Sequence, residues 1–317
     1  MLISRRSFIG RLGAAVIAPY AIRLSVRGAP RSPARIAAIA DLHHGLAPDA
    51  LTRLHAFATE VARRHPPDAV LQIGDFTYSD AGAAECLDVW RAMPGPKLSV
   101  LGNHDMDKCD KDTAMRACGM SARYWSRVLG GYRFVALDLN YFKKDGALVS
   151  YAMGNYFADG ASCNWADPEQ LVWLEHEITS AAEPVVVLSH QPLGMGDAGQ
   201  PLPPEQREVF DVIARASAAH PSGGVVACIS GHLHVDRLEH VDGIPCLCLN
   251  SASYFWYEGM HAYSQPLFAF LEFTETGELV VEGRAGAFVA PPPAASDAVA
   301  GRSASIADRR FSLAAAR

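Results

Sequence analysis

The feature of this sequence that most restricts its fold is a series of short apolar runs that alternate with amphipathic segments from Arg35 onward. An apolar run of about four to eight residues between turn residues is typical of a fully buried strand. Buried strands that alternate with helix-length amphipathic segments predict βαβ units. The sequence therefore predicts an α/β fold.

The apolar runs and the turn residues between them give approximate bounds for each element. Buried strands are predicted over residues 35–40, 69–73, 97–101, 184–189 and 225–230. Helices are predicted over residues 48–65, 81–93, 168–181 and 204–219, and Asp167 is a suitable cap for the third of them. Residues 123–140 are expected to form a hairpin that turns at Gly130-Gly131, and antiparallel strands are expected to continue to about residue 289.

Two segments lack this regular pattern. Residues 141–166 show no clear periodicity, which predicts a long functional loop. Residues 291–317 are rich in proline, alanine and serine, so we expect a disordered tail there. The folded domain is therefore predicted to span residues 35–290.

The chain starts with a segment that is typical of an export signal. Arg5 and Arg6 precede an apolar stretch, residues 12–22, that is too short for a comfortable membrane span. The segment resembles a twin-arginine signal, with Phe8 in the usual apolar position after the arginines. The resemblance implies that residues 1–34 are a signal peptide and linker that bind the twin-arginine export machinery. We then expect a periplasmic or extracellular protein with no permanent membrane span after cleavage.

The charge balance counts against one class of partner. The chain has 28 basic and 34 acidic residues and a formal net charge of −6. A general nucleic-acid binder would carry a basic face instead. We therefore expect no stable nucleic-acid partner, and an anionic substrate would need local cations or metal ions.

The cysteines give no structural zinc motif. There are seven, an odd number that cannot all pair within one chain. No pair has the C-x-x-C spacing of a zinc site. Cys109 and Cys118 are close enough in sequence to form a bridge after export.

Residues with metal-binding side chains follow directly after the predicted strands. In an open α/β sheet, ligands bind at the carboxyl ends of the strands, so these residues are expected to meet in one cleft. The candidate metal ligands are Asp41, His43, Asp75, Asn103, His190, His232 and His234. Glycine precedes Asp75, Asn103 and His232, which allows tight turns where larger side chains would crowd the metals.

The candidate ligands suit a pair of metal ions. Imidazole nitrogens and carboxylate oxygens are typical ligands of zinc, manganese and iron. Two ions need a bridging carboxylate and about three further ligands each, which this set supplies. Two ions about 3.5–4 Å apart can clamp the attacking and leaving oxygens of a phosphoryl displacement. We therefore expect two divalent or trivalent metal ions, Mn, Fe or Zn, as cofactors.

The ordered set of motifs resembles that of the calcineurin-like metallophosphoesterases. It comprises Asp-x-His, Gly-Asp, Gly-Asn-His-Asp, a single His and Gly-His-x-His, and it lies within residues 37–234. The resemblance implies two mixed β-sheets that pack as a sandwich and are flanked by helices. It also implies hydrolysis of a small phosphate ester, a phosphodiester or a phosphomonoester, with a metal-bridging hydroxide as the nucleophile.

The resemblance further implies a role for each ligand. One metal would be held by Asp41, His43 and His234, the other by Asn103, His190 and His232, and Asp75 would bridge the two. His104 would face the substrate, where it would protonate the leaving oxygen or stabilise charge in the transition state.

The sequence departs from the family pattern in the partner of His104. Family members often orient this histidine with an aspartate three residues after the bridging one, where this chain has Tyr78. Asp80 and Asp105 are the candidates to replace that aspartate. Asp105 is therefore counted with His104 among the catalytic residues.

Tyr78 gives rise to an alternative function. It resembles the tyrosine with which purple acid phosphatases bind ferric iron, although that branch usually lacks the histidine that stands here as His43. An iron phosphatase that uses Tyr78 is one alternative. A non-catalytic metal-containing binding protein is another, against which the presence of His104 argues.

Side chains after several strands are candidate substrate contacts. These are Asn140, Tyr141, Tyr254 and Trp256. Aromatic rings near the cleft can stack on a base or ring of the substrate, and packing at a strand end is the alternative interpretation. Cyclic nucleotides, nucleotide diphosphates, phospholipid head groups and simple monoesters all stay open as substrates.

Overall fold

The computed structural model describes residues 32–196, 200–220, 224–290, 292 and 302–313. Residues 1–31 of the predicted signal and linker lie outside the described residues. In the part of the chain that is described, no helix is both long enough and apolar enough to cross a membrane.

The metal-ligand candidates lie on loops that follow strands of two six-stranded sheets. The first sheet has the strand order β17-β16-β15-β1-β2-β3. Its strands, numbered in chain order, are β1 (Ala34–Ile39), β2 (Ala69–Ile73), β3 (Lys97–Val100), β15 (Ala269–Phe273), β16 (Glu278–Glu282) and β17 (Arg309–Ser312). The first three are parallel, whereas β15, β16 and β17 pair in antiparallel fashion, so the sheet is mixed.

The second sheet has the order β11-β12-β10-β9-β5-β4. Its strands are β4 (Trp125–Leu129), β5 (Tyr132–Ala136), β9 (Val185–Leu188), β10 (Val225–Ser230), β11 (Arg237–Val241) and β12 (Ile244–Cys248). The four central strands are parallel and each edge strand is antiparallel to its neighbour. The hairpin predicted over residues 123–140 is present as β4 and β5.

The two sheets pack face to face over a shared apolar core. Phe134 of β5 meets Phe273 of β15 edge to face, with ring centroids 5.0 Å apart. The helices α1 (Ala50–Arg63) and α2 (Ala84–Ala92) cover the outer face of the first sheet, and α4 (Pro168–Ser180) and α5 (Pro204–Ala219) cover the second. The predicted sandwich of two mixed sheets flanked by helices is confirmed.

The helices form where the sequence pattern predicts them. In α1, Leu54, Phe57 and Val61 recur at helical spacing and are fully buried against the first sheet. Asp167 caps α4 by accepting a hydrogen bond of 3.1 Å from the backbone N–H of Gln170. Such a cap stabilises a helix by about 1 kcal/mol.

The prediction of a long irregular loop over residues 141–166 is wrong. This segment forms a separate three-stranded sheet, here called the inserted sheet, with the order β7-β6-β8. Its strands are β6 (Tyr141–Lys144), β7 (Ala147–Ser150) and β8 (Ser162–Trp165), with a 3-10 helix at Asn155–Phe157. The strands are too short for an alternating pattern to stand out in the sequence.

The inserted sheet is held by a small core of its own. Phe142, Tyr151 and Tyr156 pack there against Leu101 and Met106. The segment beneath it contains a 3-10 helix at His104–Met106 and the helix α3 (Lys111–Ala117). The inserted sheet therefore lies directly over the residues that follow β3. The remaining elements are a 3-10 helix at Ala81–Ala83 and the strand pair β13 (Tyr254–Trp256) and β14 (Met260–Ala262).

The predicted disordered tail over residues 291–317 also needs correction. Residues 309–312 form the edge strand β17, which pairs with β16 in register from Arg309↔Val281 to Ser312↔Glu278. The pairing depends on backbone hydrogen bonds with another strand. These cannot be predicted from the proline and alanine content of the tail. Residues 302–308, which precede β17, contain Ala304 and Ile306, which join the main core.

The cysteines are free thiols, including Cys109 and Cys118, for which the sequence allowed a bridge. Six of the seven are buried. They therefore behave as small apolar side chains in the cores.

Candidate metal centre

The carboxyl ends of the parallel strands of both sheets meet at one place. Asp41 and His43 follow β1, Asp75 follows β2 and Asn103 follows β3 in the first sheet. His190 follows β9, and His232 and His234 follow β10, in the second sheet. The strand ends therefore converge as predicted, because the sandwich places the two sets of ends side by side.

One cluster of candidate ligands consists of Asp41, His43 and His234. Nε2 of His43 lies 2.9 Å from Nε2 of His234, and the latter lies 3.3 Å from Oδ1 of Asp41. All three side chains are buried. Two ring nitrogens and a carboxylate oxygen thus converge at one point, which is the arrangement that a cation requires.

A second cluster consists of Asp75, His190 and His232. Nε2 of His190 lies 3.1 Å from Oδ2 of Asp75 and 3.2 Å from Nδ1 of His232. Oδ1 of Asn103 lies 3.2 Å from the same Nε2 atom. Nδ1 of His190 donates to the carbonyl of Ile73 at 2.8 Å, which directs the lone pair of Nε2 into the cluster.

Asp75 belongs to both clusters. Its Oδ2 atom lies 3.1 Å from Nε2 of His190 in the second cluster and 3.8 Å from Nε2 of His43 in the first. Its Oδ1 atom accepts a hydrogen bond of 2.8 Å from the backbone N–H of His104. Asp75 therefore stands in the position of a bridging carboxylate.

The chemistry of these groups fits cations. Burial lowers the pKa of His43 to about 3 and that of His232 to about 4, so both rings are neutral donors. Burial opposes the charge of Asp75, but His190 and His104 outweigh it and hold the carboxyl pKa well below its usual value. Burial also lowers the pKa of His190, but Asp75 outweighs it and the pKa rises to about 9. The carboxylates thus stabilise positive charge at this point. Bound metal ions would supply that charge in place of a proton.

The ligand loops have an unusual backbone. Five candidate ligands adopt the left-handed region, where residues other than glycine are uncommon. They are Asp41 (φ 50°), His43 (φ 53°), Asp75 (φ 49°), His232 (φ 71°) and His234 (φ 53°). Each such conformation costs on the order of 1–3 kcal/mol and persists at functional sites because the surrounding structure enforces it.

The glycines before the ligands are required by close packing, as the sequence predicted. A Cβ atom on Gly74 would overlap the ring of His190, and one on Gly102 would overlap the backbone nitrogen and Oδ1 of Asp75. Gly74 also has φ +81°. A larger residue at position 74 would push His190 of the second sheet away, and one at position 102 would displace Asp75 of the same sheet.

His104 lies beside both clusters. Its ring is 5.2 Å from that of His43, and its side chain is 27% exposed. Burial lowers the pKa of His104, but the carboxylates of Asp75 and Asp107 outweigh it and raise the pKa to about 9. A protonated imidazole at the open side of the centre can give a proton to a leaving group.

The orienting partner of His104 is Asp107, which the sequence reasoning missed. Nδ1 of His104 donates to Oδ2 of Asp107 at 2.7 Å, and the hydroxyl of Tyr156 donates to Oδ1 of Asp107 at 2.5 Å. His104 and Asp107 are three residues apart at a 3-10 helix, where side chains at this spacing eclipse. This spacing could have identified Asp107 from the sequence as the partner of His104. Tyr156 is too distant from His104 in sequence to be identified in this way.

Asp105 and Asp80 have other partners. Asp105 is buried and accepts hydrogen bonds from the backbone N–H groups of Gly102, Phe76 and Thr77 at 2.8, 2.8 and 3.2 Å. It ties the loops after β2 and β3 together, so it positions ligands rather than contacting a substrate. Asp80 accepts from Gly82 N–H and Lys108 Nζ at the surface.

The four predicted substrate contacts divide into two pairs. Asn140 is buried, and its side chain bonds to Leu101, Asp138 and Gln191, which corrects its prediction as a substrate contact. The ring of Tyr141 lies 3.8 Å beneath Nζ of Lys111. Tyr254, by contrast, lies against the first cluster, and Trp256 lies beside Tyr254.

A line of aromatic contacts crosses the centre. The ring centroid of Tyr254 lies 5.0 Å from that of His43, and that of Trp256 lies 6.3 Å from Tyr254. On the other side, the ring of Phe157 lies 6.2 Å from His104. The exposed fractions of Phe157 and Trp256 are 69% and 59%. We call Phe157, Tyr254 and Trp256 the aromatic rim. Phe157 was not identified from the sequence.

Tyr78 is less suited than His43 to bind metal. Its ring lies 4.2 Å from Nζ of Lys108. Burial raises the pKa of its phenol, and the carboxylates of Asp107 and Asp75 raise it further. His43, by contrast, lies within the first ligand cluster, with its Nε2 atom 2.9 Å from Nε2 of His234, so the geometry favours His43 as the donor.

Comparison with solved structures agrees with this fold. A dimetal phosphatase from Danio rerio has 17% sequence identity and a TM-score of 0.56 to the chain, and the likeness covers 79% of this chain and 96% of that one. GAP50, the anchor in the inner membrane complex of Plasmodium, has 14% identity and a TM-score of 0.54, with 89% of each chain covered. At these identities the likeness shows the fold alone.

A family comparison goes further than the solved structures do. No curated protein matches the sequence significantly. The family model of the calcineurin-like phosphoesterases, however, matches residues 34–236, which is more than half of the chain and includes every candidate ligand. The chain therefore belongs to the calcineurin-like phosphoesterase family.

Proposed function

We propose that the chain hydrolyses small organic phosphate esters at a centre of two metal ions. The single observation that carries this proposal is the position of Asp75 between the two ligand clusters, with His104 on their open side. Family membership makes the chain a phosphoester hydrolase, and two candidate ligand clusters agree with a dinuclear centre.

Each group has a role in such a reaction. Two ions held by the first and second clusters would polarise the phosphoryl oxygens and activate water. Water attacks phosphorus, the bond from phosphorus to the leaving oxygen breaks, and Nε2 of His104 gives its proton to that oxygen. The proton that the attacking water loses restores His104, so the products are a phosphate and an alcohol. Asp107 holds the ring by its Nδ1 atom throughout.

The organic part of the substrate would contact the two exposed rings of the aromatic rim, Phe157 and Trp256. Exposed rings on both sides of a polar centre favour a flat or apolar group bonded to the phosphate. Tyr254 lies against the first cluster and Trp256 extends outward from it. These contacts support an organic ester over inorganic polyphosphate as the substrate.

We also propose that the protein is exported to the periplasm or beyond by the twin-arginine route. The support is the Arg5-Arg6 pair before the apolar residues 12–22. A variant with both arginines replaced by lysine is expected to accumulate in the cytoplasm. If the variant reaches the same compartment as the wild type, export by this route is excluded.

The experiment that tests the proposed activity compares hydrolysis rates on bis-p-nitrophenyl phosphate and p-nitrophenyl phosphate, using manganese-loaded protein. Chelation is expected to abolish hydrolysis, and Asn103→Ala is expected to weaken it strongly because one ligand of the second cluster is lost. A preference for the diester would identify a phosphodiesterase, and a preference for the monoester a phosphatase. Hydrolysis that survives both chelation and Asn103→Ala would contradict the proposal.

Two alternatives predict different results in the same experiment. A non-catalytic binding protein would take up manganese without hydrolysing either ester. An iron phosphatase that uses Tyr78 would absorb visible light when loaded with ferric iron, and Tyr78→Phe would remove that absorption. Because His43 faces the first cluster, we expect the iron-loaded protein to lack this band.

A further inference from the structure

The hydroxyl group of Tyr156 lies between two functional parts of the centre. It donates to Oδ1 of Asp107 at 2.5 Å and accepts from Nδ2 of Asn103 at 3.2 Å. It is also 3.3 Å from Nδ1 of His104. One phenol oxygen thus contacts the side chain of a candidate metal ligand, the histidine at the open side and the carboxylate that orients this histidine.

The number of protons fixes the direction of each hydrogen bond. A carboxylate only accepts, so the single proton of the hydroxyl points to Asp107. The pKa of a phenol is about 10, so the hydroxyl keeps this proton at neutral pH. The lone pairs of the hydroxyl oxygen are then available to the amide N–H of Asn103.

This bond to Tyr156 determines which amide atom of Asn103 faces the metal centre. With Nδ2 donating to the phenol oxygen, Oδ1 is directed to the second cluster, 3.2 Å from Nε2 of His190. A reversed amide would present N–H groups, which cannot bind a cation. Tyr156 therefore selects the orientation in which Asn103 is a ligand.

The same hydroxyl group restrains Asp107. One carboxylate oxygen accepts from His104 and the other accepts from Tyr156, so both oxygens are fixed. Asp107 then holds the proton on Nδ1 of His104 and leaves Nε2 for the substrate. Without Tyr156, Asp107 would be free to turn and the ring of His104 would lose its fixed direction.

The inserted sheet supplies Tyr156 and keeps its ring in place. Tyr151 of this sheet stacks on Tyr156 with ring centroids 4.6 Å apart, and Phe157 packs against it at 4.3 Å. Tyr156 is 9% exposed and belongs to the small core under the sheet. The insertion therefore acts on the metal centre through one rigid, buried side chain.

We propose that Tyr156 is a positioning residue whose hydroxyl group couples the metal-binding orientation of Asn103 to the proton-donating orientation of His104. This inference rests on the proposed function. It implies that loss of one hydroxyl group weakens metal binding and also impairs protonation of the leaving oxygen.

The second effect depends on the substrate. In the reaction, the bond from phosphorus to the leaving oxygen breaks while that oxygen takes the proton of His104 Nε2. A nitrophenolate departs readily without a proton, whereas an alkoxide does not. A misdirected His104 therefore slows alkyl esters much more than nitrophenyl esters.

The test uses Tyr156→Phe, with Asp107→Asn and Tyr151→Phe for comparison. Tyr151→Phe is the matched control, because its hydroxyl contacts Asn164 in the inserted sheet and its ring stacks in the same core. Two quantities are measured: manganese affinity by calorimetry, and kcat for a series of phosphate esters whose leaving groups range from nitrophenol to simple alcohols.

The expected results differ among the variants. Tyr156→Phe should lose about 10- to 100-fold in affinity for the manganese ion of the second cluster. Its loss in kcat should be at least about tenfold greater for alkyl than for nitrophenyl esters. Asp107→Asn should show the dependence on leaving group with little change in affinity, and Tyr151→Phe should show neither effect.

Other outcomes overturn the inference. They are unchanged manganese affinity in Tyr156→Phe, a loss in kcat that is equal for all leaving groups, or effects of the same size in Tyr151→Phe. If the wild-type protein hydrolyses none of the esters, the proposed function fails by itself. In that case the coupling is judged on manganese affinity alone, and Tyr156→Phe must still differ from Tyr151→Phe.

Discussion

The guanidinium group of Arg309 donates one hydrogen bond of 2.7 Å to each carboxylate oxygen of Asp236. Asp236 also accepts from the backbone N–H of Ala307 at 2.9 Å. Asp236 lies two residues after His234, so this pair fastens the last strand of the first sheet to the loop that carries His232 and His234. A segment near the end of the chain thereby supports the metal centre.

Replacing Arg309 by alanine is expected to lower the free energy of unfolding by about 3 kcal/mol. The change leaves the carboxylate of Asp236, whose side chain is 4% exposed, without its charged partner. The matched control is Arg310→Ala, because the side chains of Arg310 and its partner Glu278 are 61% and 36% exposed, and there we expect less than about 1 kcal/mol. Urea denaturation of the metal-free variants measures both. Equal losses in the two variants would contradict this role of Arg309.

Replacing Asp75 by asparagine is expected to remove bound metal and to reduce kcat/KM at least about a thousandfold, or ~4 kcal/mol. Asparagine keeps the shape of the side chain but removes the charge that both clusters share. Metal analysis of the purified protein and the nitrophenyl ester assay measure the two effects. Asp80→Asn, in the same loop but bonded at the surface to Lys108, should retain metal and activity. Full metal content in Asp75→Asn would show that Asp75 does not bridge.

Replacing Gly102 by alanine is expected to destabilise the fold by about 1–3 kcal/mol and to weaken metal binding. The added Cβ atom would overlap the backbone nitrogen of Asp75, so this buried ligand would have to shift. Because Gly102 does not have a positive φ, the expected effect comes from steric overlap and not from backbone strain. Gly196→Ala is the control, since its Cβ would meet its nearest atom, in Leu202, at 3.7 Å. Thermal unfolding and manganese titration should separate the two variants, and similar behaviour would refute the close-packing argument.

The ligand set could be predicted from the sequence because each ligand follows a buried strand. The apolar run of β2, for example, ends at Ile73 and is followed by Gly74-Asp75. Parallel strands of one sheet end at the same edge, so strand position alone placed Asp41, Asp75 and Asn103 together. The same rule led us to expect His190, His232 and His234 in the same cleft. That these three come from a second sheet was implied only by the family resemblance, because alternation of strands and helices does not specify how sheets pack.

Features that depend on long-range contacts could not be predicted in this way. Tyr156 reaches His104 across 52 residues, from a 3-10 helix between strands that are too short to show a period. The strand β17 is defined by its pairing with β16, and its burial alternates only weakly. Asn140 was misassigned because a polar residue after a strand can face either a cleft or a buried hydrogen-bond network, and Gln191 and Asp138 supply the network.

The aromatic rim is expected to select esters with a flat organic group. Trp256 is 59% exposed and extends the line of rings outward from Tyr254, so it has one face available to a substrate. Trp256→Ala should raise KM about three- to tenfold for naphthyl and nitrophenyl phosphates, since an aromatic contact contributes about 0.5–1.5 kcal/mol. The KM for methyl phosphate should not change, because a methyl group is too small to reach the rim while its phosphate is at the metals. Val172→Ala, at an exposed position of α4, controls for loss of surface apolar area. If Trp256→Ala raises KM equally for aryl and methyl esters, the side chain affects the phosphate position instead, and the rim does not select the organic group.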